Sequence, residues 1–353
     1  MAGRGGLPSP PAYTEPENDV QKNAVRPVFQ PDPFEPAALL ANAHAQTISG
    51  RFLRRAPLPA FRRERIETSD GDFLDLDFVT GVPDSAPLVV LFHGLEGSAR
   101  RGYAVNTYRM LAERGIAALG VNFRSCSGEM NRTARFYHSG ETGDIGFVLS
   151  LLRARFPDRR IGVIGFSLGG NALLKYLGEQ GEAARRCVDA AVAVSVPYDL
   201  GAGARLLDTS AMGRFYTGIF VKSLIRKIEL KAHLLPDGLD LERVRKARSF
   251  YDFDDAITAP LHGFNGADDY YARSSSYQFI GAIRIPTLLL QAEDDPFIPR
   301  DAIPRKAAAD NPCITAVITE RGGHVGFISG TIRRPVFWAE HQAARFFESQ
   351  LTQ

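Results

Sequence analysis

Cysteine is scarce in this 353-residue sequence, which contains only Cys126, Cys187 and Cys313. Their number is odd, they lie far apart, and no C-x-x-C pair occurs. This pattern argues against a disulfide framework and against a zinc site built from closely spaced cysteines. Unpaired cysteines fit a reducing compartment, so we expect a cytoplasmic protein with no metal and no other cofactor.

An excess of charge of either sign is also lacking. The 42 basic residues nearly balance the 40 acidic residues and leave a net charge of +2, so a nucleic-acid partner is not indicated. No uninterrupted apolar run approaches the ~20 residues that span a membrane. Residues 1–18 contain no apolar stretch of the kind that a secretion signal requires. We therefore expect a soluble protein without a transmembrane segment.

The distribution of proline divides the chain into two parts. Residues 1–33 are rich in proline, glycine and polar side chains, which cannot bury enough apolar surface to offset the entropy lost on ordering. We predict a flexible tail over residues 1–33 and one folded domain over residues 34–353. Hydrophobic residues make up 44% of the chain, which is enough for a large core.

Short apolar runs alternate with helical patterns over most of this domain. Continuous runs of this kind are typical of strands that are buried on both faces of a sheet. We predict such buried strands at Leu88–Phe92 and Ile116–Val121, further strands at Ile161–Ile164, Ala190–Val196, Ile285–Gln291 and Ile314–Thr319, and helices at Tyr103–Arg114, Thr142–Arg155 and Val336–Leu351. The alternation predicts an α/β fold with a mostly parallel, doubly wound sheet.

The alternation stops over residues 198–282, which we interpret as a cap inserted between two late strands. Apolar side chains recur at helical spacing over residues 220–228. The helix that they predict either packs on the domain with a solvated basic face or forms a lid that covers an apolar pocket or touches anionic lipid. We expect residues 249–279 to consist mainly of loops. Their aromatic side chains suit a cap that lines a binding cleft, and simple packing of these side chains is the alternative.

Ser167 stands between a predicted strand and a predicted helix. Residues 165–169, GFSLG, fit the pattern G-x-S-x-G in its required order of strand, tight turn and helix. A serine at the apex of this turn projects its hydroxyl away from the sheet, and the flanking glycines let the strand and the helix approach closely. The helix N-terminus directs backbone N–H groups at negative charge that develops beside Ser167.

Ser167 needs a base, and the base needs a carboxylate that orients it. Asp295 and His324 each follow a predicted strand directly, as Ser167 does, so all three are expected at one edge of the sheet. We prefer Asp295 to Asp294 because the sequence D-P-x-x-P around it predicts a rigid turn. His324 lies in a Gly-rich loop near the end of the chain, a combination that none of the other histidines shows.

Backbone N–H groups are expected to stabilise an oxyanion beside Ser167. The first is the N–H of Leu168, which directly follows the serine. The second is the N–H of Leu95, in the loop after the strand Leu88–Phe92. His93 in the same loop is expected to brace it, and a direct catalytic role for His93 is the less favoured alternative.

With these motifs placed, the sequence resembles the α/β-hydrolase superfamily, and in particular its YheT-like branch. The resemblance covers roughly residues 34–353 and rests on the serine motif together with Asn42–Thr47, His93–Gly97, Asn122–Gly128, Tyr137–Thr142 and Phe253–Phe264. It implies the α/β-hydrolase fold, with Ser167, Asp295 and His324 as the charge-relay residues. Ser125, Ala43 and Ala45 depart mildly from the pattern of the branch.

The motifs and the resemblance together predict a serine carboxylic-ester hydrolase that acts on short- to medium-chain acyl esters. Members of the branch include lipases, phospholipases and alcohol acyltransferases, so transfer of the acyl group to an alcohol is the main alternative. A non-catalytic protein that binds a lipid or a partner is the third interpretation. The expected ligand is a small-molecule or lipid ester, and peripheral contact with a membrane and the oligomeric state are left open.

Overall fold

The computed structural model describes residues 29–352. The strands in this range are β1 Phe61–Glu67, β2 Phe73–Val79, β3 Leu88–Phe92, β4 Ala117–Asn122, β5 Ile161–Phe166, β6 Ala190–Val194, β7 Thr287–Ala292, β8 Ile314–Thr319, β9 Ile328–Gly330 and β10 Pro335–Phe337. The helices are α1 Ala43–Leu53, α2 Gly102–Ala112, α3 Gly143–Arg155, α4 Leu168–Gln180, α5 Leu200–Thr209, α6 Ala211–Leu230, α7 Leu241–Lys246, α8 Phe250–Phe253, α9 Ala259–Leu261, α10 Ala267–Ser274, α11 Arg305–Ala309 and α12 Trp338–Leu351. Within residues 29–352, no helix has the length and apolar character that crossing a membrane requires.

The strands β1 to β8 form one sheet in the order β1-β2-β4-β3-β5-β6-β7-β8. β2 pairs antiparallel with β1 and with β4, and every pair from β4 to β8 is parallel. The predicted α/β fold with a mostly parallel sheet is therefore confirmed. β3 and β5 are neighbours in the sheet. After β3 the chain continues to β4 on one side, and after β5 it continues to β6 on the other side. A crevice forms at the carboxyl ends of strands where the order reverses in this way.

Helices cover both faces of the sheet, which confirms the doubly wound arrangement. One face packs against α3 and α4 through residues such as Leu149 and Leu173, and the other packs against α2 and α12 through residues such as Leu111 and Phe347. Every residue of β5 is buried, because this central strand has helices on both sides. The burial explains why the strand before Ser167 is continuously apolar rather than alternating.

The segment between β6 and β7 is helical, and we call residues 198–282 the cap segment. The predicted helix over residues 220–228 is part of α6. The expectation that residues 249–279 are mainly loops is wrong, because α8, α9 and α10 and a π turn at Asp254–Thr258 lie there. α8, the π turn and α9 follow one another without a gap, and the wider π turn interrupts the regular helical period of the apolar side chains. A capping box of Ser249 and Asp252 was the available signal.

The first described residues contact the last helix. The ring of Phe29 lies 5.4 Å from that of Phe346, and Trp338 Nε1 donates a 3.0 Å hydrogen bond to the carbonyl oxygen of Asp32. Residues 29–33 thus pack on the domain, although the sequence placed them in the flexible tail, because the Phe29–Phe346 ring contact and the hydrogen bond to Asp32 outweigh the local composition. Residues 1–28 of the predicted tail lie outside the described residues.

Candidate active site

Ser167 occupies the turn between β5 and α4 in a backbone conformation that is rare for a residue with a side chain. Its φ is 52° and its ψ is −119°, which costs free energy and needs support from the surrounding structure. The Ser167 N–H donates to the carbonyl oxygen of Val194 at 2.9 Å, and the Asn171 N–H donates to the Ser167 carbonyl oxygen at 3.0 Å. The neighbouring strand and the first turn of α4 therefore hold the serine in place.

Glycine is required where α4 crosses the end of β3. A Cβ on Gly169 would lie 2.4 Å from the carbonyl oxygen of Phe92 and 2.6 Å from that of His93. Both contacts are with backbone, which cannot move aside as the end of a side chain can. The last glycine of the G-x-S-x-G motif thus lets the helix that follows Ser167 pack directly on the loop after β3.

The structure brings the three predicted side chains together in one hydrogen-bonded chain. His324 Nε2 lies 2.9 Å from Ser167 Oγ, and His324 Nδ1 lies 2.8 Å from Asp295 Oδ2. Because a carboxylate only accepts hydrogen bonds, Nδ1 carries the proton and Nε2 is left to accept the serine proton. This is the arrangement in which an imidazole acts as a general base toward a hydroxyl.

The neighbouring carboxylates Asp294 and Asp295 have different partners. The Asp295 carboxylate is buried and also accepts from the Phe297 N–H at 2.9 Å. The Asp294 carboxylate instead accepts from the Gly323 N–H at 2.8 Å. Asp295 therefore orients the imidazole of His324, and Asp294 holds the backbone of the loop that carries it.

Three residues that received no role from the sequence hold the His324 loop from outside. The His324 N–H donates to Thr47 Oγ1 at 2.9 Å, and the Val325 N–H donates to Ser195 Oγ at 2.9 Å. Arg54 donates to the carbonyl oxygen of Val325 at 2.8 Å. Thr47 lies in the Asn42–Thr47 motif, which marked it as distinctive without showing its partner.

The residues predicted to stabilise an oxyanion lie beside Ser167. A Cβ on Gly94 would be 3.1 Å from Ser167 Cβ, so the backbone of the loop after β3 passes close to the serine. Leu95 follows Gly94 in this loop, and Leu168 begins α4, whose first N–H groups have no partner within the helix. Both leucines line the same cavity as Ser167 and His324.

The buried His93 side chain supports this loop, and its two ring nitrogens have partners other than Ser167. Its Nδ1 lies 2.7 Å from the carbonyl oxygen of Gly94, and its Nε2 accepts from the Phe123 N–H at 3.2 Å. The proton is therefore on Nδ1. Burial lowers the pKa of His93 to about 4, so the imidazole is neutral at physiological pH. The geometry agrees with the expected bracing role.

Comparison with known proteins places the chain in a family. A family model for the alpha/beta hydrolase fold matches residues 87–331. The putative esterase YheT of Escherichia coli (strain K12) is 36% identical over 312 residues, which cover 87% of this chain and 90% of that protein. The chain belongs to the α/β-hydrolase family. The resemblance to the YheT-like branch is thereby confirmed.

Two further relatives of this α/β hydrolase agree with the assignment. A monoacylglycerol lipase of Saccharomyces cerevisiae is 32% identical over 272 residues, which cover 75% of this chain and 60% of the lipase. The esterase Pf2001 of Pyrococcus furiosus superposes with a TM-score of 0.54 at 19% identity, over 83% of this chain and 92% of that one, a likeness that concerns the fold alone. The esterase and lipase relatives support hydrolase activity for this chain.

The cavity of this α/β hydrolase lies between the sheet and the cap segment. Its volume is about 1220 Å³, and its cap side is lined mainly by apolar side chains, among them Tyr216, Phe220, Leu224, Phe250 and Ile257. His138 and His262 also line it, and burial lowers the pKa of each to about 3. These imidazoles are neutral at physiological pH, so they add polarity to the cavity without positive charge.

Among residues 29–352, no group of three or more histidine, cysteine or acidic side chains is arranged to hold a metal ion. The expectation that the protein needs no cofactor stays a prediction.

Proposed function

We propose that this protein is a serine carboxylic-ester hydrolase with Ser167 as nucleophile, His324 as general base and acid, and Asp295 as the carboxylate that orients His324. The observation that carries the proposal is the hydrogen-bonded chain from Ser167 Oγ through His324 to Asp295, with distances of 2.9 and 2.8 Å. The serine opens into an apolar cavity, which suits the acyl chain of an ester.

Acylation begins when Ser167 Oγ forms a bond to the ester carbonyl carbon while its proton passes to His324 Nε2. The carbonyl oxygen becomes an oxyanion that accepts hydrogen bonds from the N–H groups of Leu168 and Leu95. Collapse of this intermediate breaks the carbon–oxygen bond to the alcohol. His324 gives its proton to the departing alcohol, and the acyl group stays on Ser167.

Water then enters and gives up a proton to His324 as it attacks the acyl group. The second tetrahedral intermediate collapses, the proton returns to Ser167 Oγ, and the carboxylic acid leaves. Asp295 keeps the imidazole in one tautomer and stabilises the imidazolium that forms in both steps. An alcohol that enters in place of water would produce a new ester from the same acyl-enzyme.

The substrates that we propose are acyl esters of short to medium chain length. A volume of about 1220 Å³ exceeds the roughly 300–1,000 Å³ of typical ligand pockets, so an acyl chain fits inside it. Aromatic and aliphatic side chains line the cavity on the cap side. Such a lining favours an acyl chain over a charged or peptide substrate.

Hydrolysis of p-nitrophenyl esters from acetate to laurate tests the proposal. We expect an optimum of chain length in the wild type and a loss of kcat of at least about 10⁴-fold in Ser167→Ala. A fluorophosphonate should add one adduct to the wild type and none to Ser167→Ala, as measured by intact mass. Ser139→Ala, which removes another serine of the cavity, should retain the adduct.

The alternative functions predict other results in the same experiment. With ethanol or glycerol added, alcohol acyltransfer would yield a new ester in addition to the acid. A folded wild-type protein that neither hydrolyses any of the esters nor takes up the fluorophosphonate would contradict the proposal and favour binding without chemistry.

A further inference from the structure

Two helices expose pairs of large apolar side chains at the mouth of the cavity. Ile48 and Phe52 lie four residues apart on α1, and Phe215 and Ile219 lie four residues apart on α6. Residues at this spacing share one face of a helix. All four line the cavity, yet their exposed fractions range from 38% to 61%. We call Ile48, Phe52, Phe215 and Ile219 the mouth patch.

The two halves of the mouth patch belong to one surface. His44 Nδ1 on α1 lies 3.1 Å from the hydroxyl oxygen of Tyr216 on α6, and their rings are 5.8 Å apart. Ile48 is one turn beyond His44, and Phe215 precedes Tyr216 in sequence. Contiguous exposed apolar side chains at the entrance of an apolar cavity mark an interaction site rather than ordinary surface.

Basic side chains surround the mouth patch. Among the described residues that line the cavity, the exposed charged ones are Arg51, Arg100 and Arg101. Arg100 shares the buried Asp77 carboxylate with Arg63, so one of these two positive charges is not neutralised by Asp77. Lys222 and Arg226 continue the exposed face of α6, seven and eleven residues after Phe215. α1 contains no acidic residue, and the acidic residue of α6, Glu229, lies in its last turn. The charge around the cavity entrance therefore complements an anionic surface.

We infer that the mouth patch docks on the surface of an anionic lipid assembly. Aromatic and aliphatic side chains flanked by lysine and arginine are the composition of helices that lie at a lipid–water interface. Docking would bury the four apolar side chains, and it would let an acyl chain pass from lipid into the cavity without crossing water. The inference adds to the proposed esterase function, and vesicle binding without turnover tests it separately.

Flotation with vesicles of phosphatidylcholine and phosphatidylglycerol tests the apolar part of the surface. We expect the wild type to float with these vesicles and Phe215→Ser/Ile219→Ser to lose about tenfold or more in affinity. The control is Leu230→Ser/Tyr277→Ser, which removes two side chains that are 55% and 44% exposed but do not line the cavity. The control should float as the wild type does.

A second set of measurements tests whether the basic side chains contribute to vesicle binding. Lys222→Ala/Arg226→Ala should lower the affinity for the anionic vesicles by about tenfold or more, since each basic side chain near such a surface contributes to binding. Wild-type binding should weaken in the same way with vesicles of phosphatidylcholine alone and at high salt concentration. Ile48→Ser/Phe52→Ser provides an independent test on α1 if a variant of α6 does not fold, which thermal unfolding detects.

Three results would overturn the inference. The first is a failure of the wild type to float with anionic vesicles, and the second is equal flotation of the mouth-patch variants and the control. Alternatively, analytical ultracentrifugation could show a wild-type dimer that Phe215→Ser/Ile219→Ser converts to a monomer, in which case a second copy of the chain covers the patch. Labelling of Ser167 by a fluorophosphonate without vesicles reports separately on the proposed function.

Discussion

Lys227 of α6 donates to Glu96 Oε1 at 2.7 Å, and Glu96 directly follows Leu95 in the loop after β3. Ser223 and Tyr137 also donate to the Glu96 carboxylate. Burial by itself raises the pKa of Glu96, but the Lys227 ammonium and the two hydroxyls outweigh it and hold the pKa below its usual range. This mostly buried ion pair ties the cap segment to the loop that is proposed to carry an oxyanion donor.

Removal of one partner of this pair should destabilise the protein more than removal of both. Lys227→Met leaves the Glu96 carboxylate buried without its counter-ion, which we expect to cost about 3 kcal/mol of unfolding free energy. Glu96→Gln/Lys227→Met removes both charges and should recover most of this loss. Urea unfolding of the wild type, both single variants and the double variant gives the coupling energy. Additive effects of the two substitutions would show that the pair is not coupled.

Asp295→Asn and Asp294→Asn should have very different effects on activity. We expect Asp295→Asn to lower kcat about 10⁴-fold with little change in KM, because the amide no longer holds His324 in the tautomer that accepts the Ser167 proton. Asp294→Asn keeps an oxygen that can accept from the Gly323 N–H, so its kcat should fall less than about tenfold. Steady-state hydrolysis of a p-nitrophenyl ester measures both. Equal losses would mean that the carboxylates share the role.

His93→Gln should change how stability depends on pH. The pKa of His93 is lowered from 6.5 to about 4 in the folded protein, so the unfolded chain binds this proton at higher pH. The stability due to neutral His93 is fully present above pH 6.5 and is lost as the pH falls toward 4. Relative to His93→Gln, the wild type should lose up to about 3 kcal/mol of unfolding free energy over this range. Parallel curves from denaturant unfolding at each pH would contradict this assignment.

Alanine should be poorly tolerated at Gly169 and well tolerated at Gly218. The new Cβ of Gly169→Ala would overlap the backbone of β3 and the loop after it, and we expect a loss of about 1–3 kcal/mol. No heavy atom lies within 4 Å of a Cβ on Gly218, which is inside α6. Gly218→Ala should therefore stabilise the protein by about 0.5–1 kcal/mol through its helix propensity. Thermal and denaturant unfolding measure the stability of both variants. A Gly169→Ala variant that is more stable than Gly218→Ala would contradict this prediction.

Regular elements were predictable where one apolar pattern persists over a whole element. The predicted strand Leu88–Phe92 matches β3, and the predicted strand Ile314–Thr319 matches β8. The predicted helix Val336–Leu351 begins only at Trp338, because residues 335–337 pair with β9 as a short strand. Pairing between short strands depends on a partner elsewhere in the chain, so the pattern of one segment does not reveal it.

The sequence by itself determined which side chains end at the same edge of the sheet. Ser167, Asp295 and His324 each come after an apolar strand, and parallel strands bring their carboxyl ends together, so sequence position alone predicted that these residues meet. The strands β5 and β7 are buried, whereas β8, at the edge of the sheet, is only partly buried. The choice of Asp295 over Asp294 also followed from local turn chemistry, and the structure gives the two carboxylates the separate partners that this choice requires.

Only the tertiary structure decided which distant residues support the site. Thr47 and His324 are 277 positions apart, and Lys227 and Glu96 are 131 positions apart. A single threonine or lysine carries no local signal of such a partner, because the contact depends on how α1 and the cap segment pack against the loops after the strands. The mouth patch also depends on the tertiary structure. Its helical spacing was visible in the sequence, but its exposure at the cavity depends on which helix faces the packing leaves uncovered.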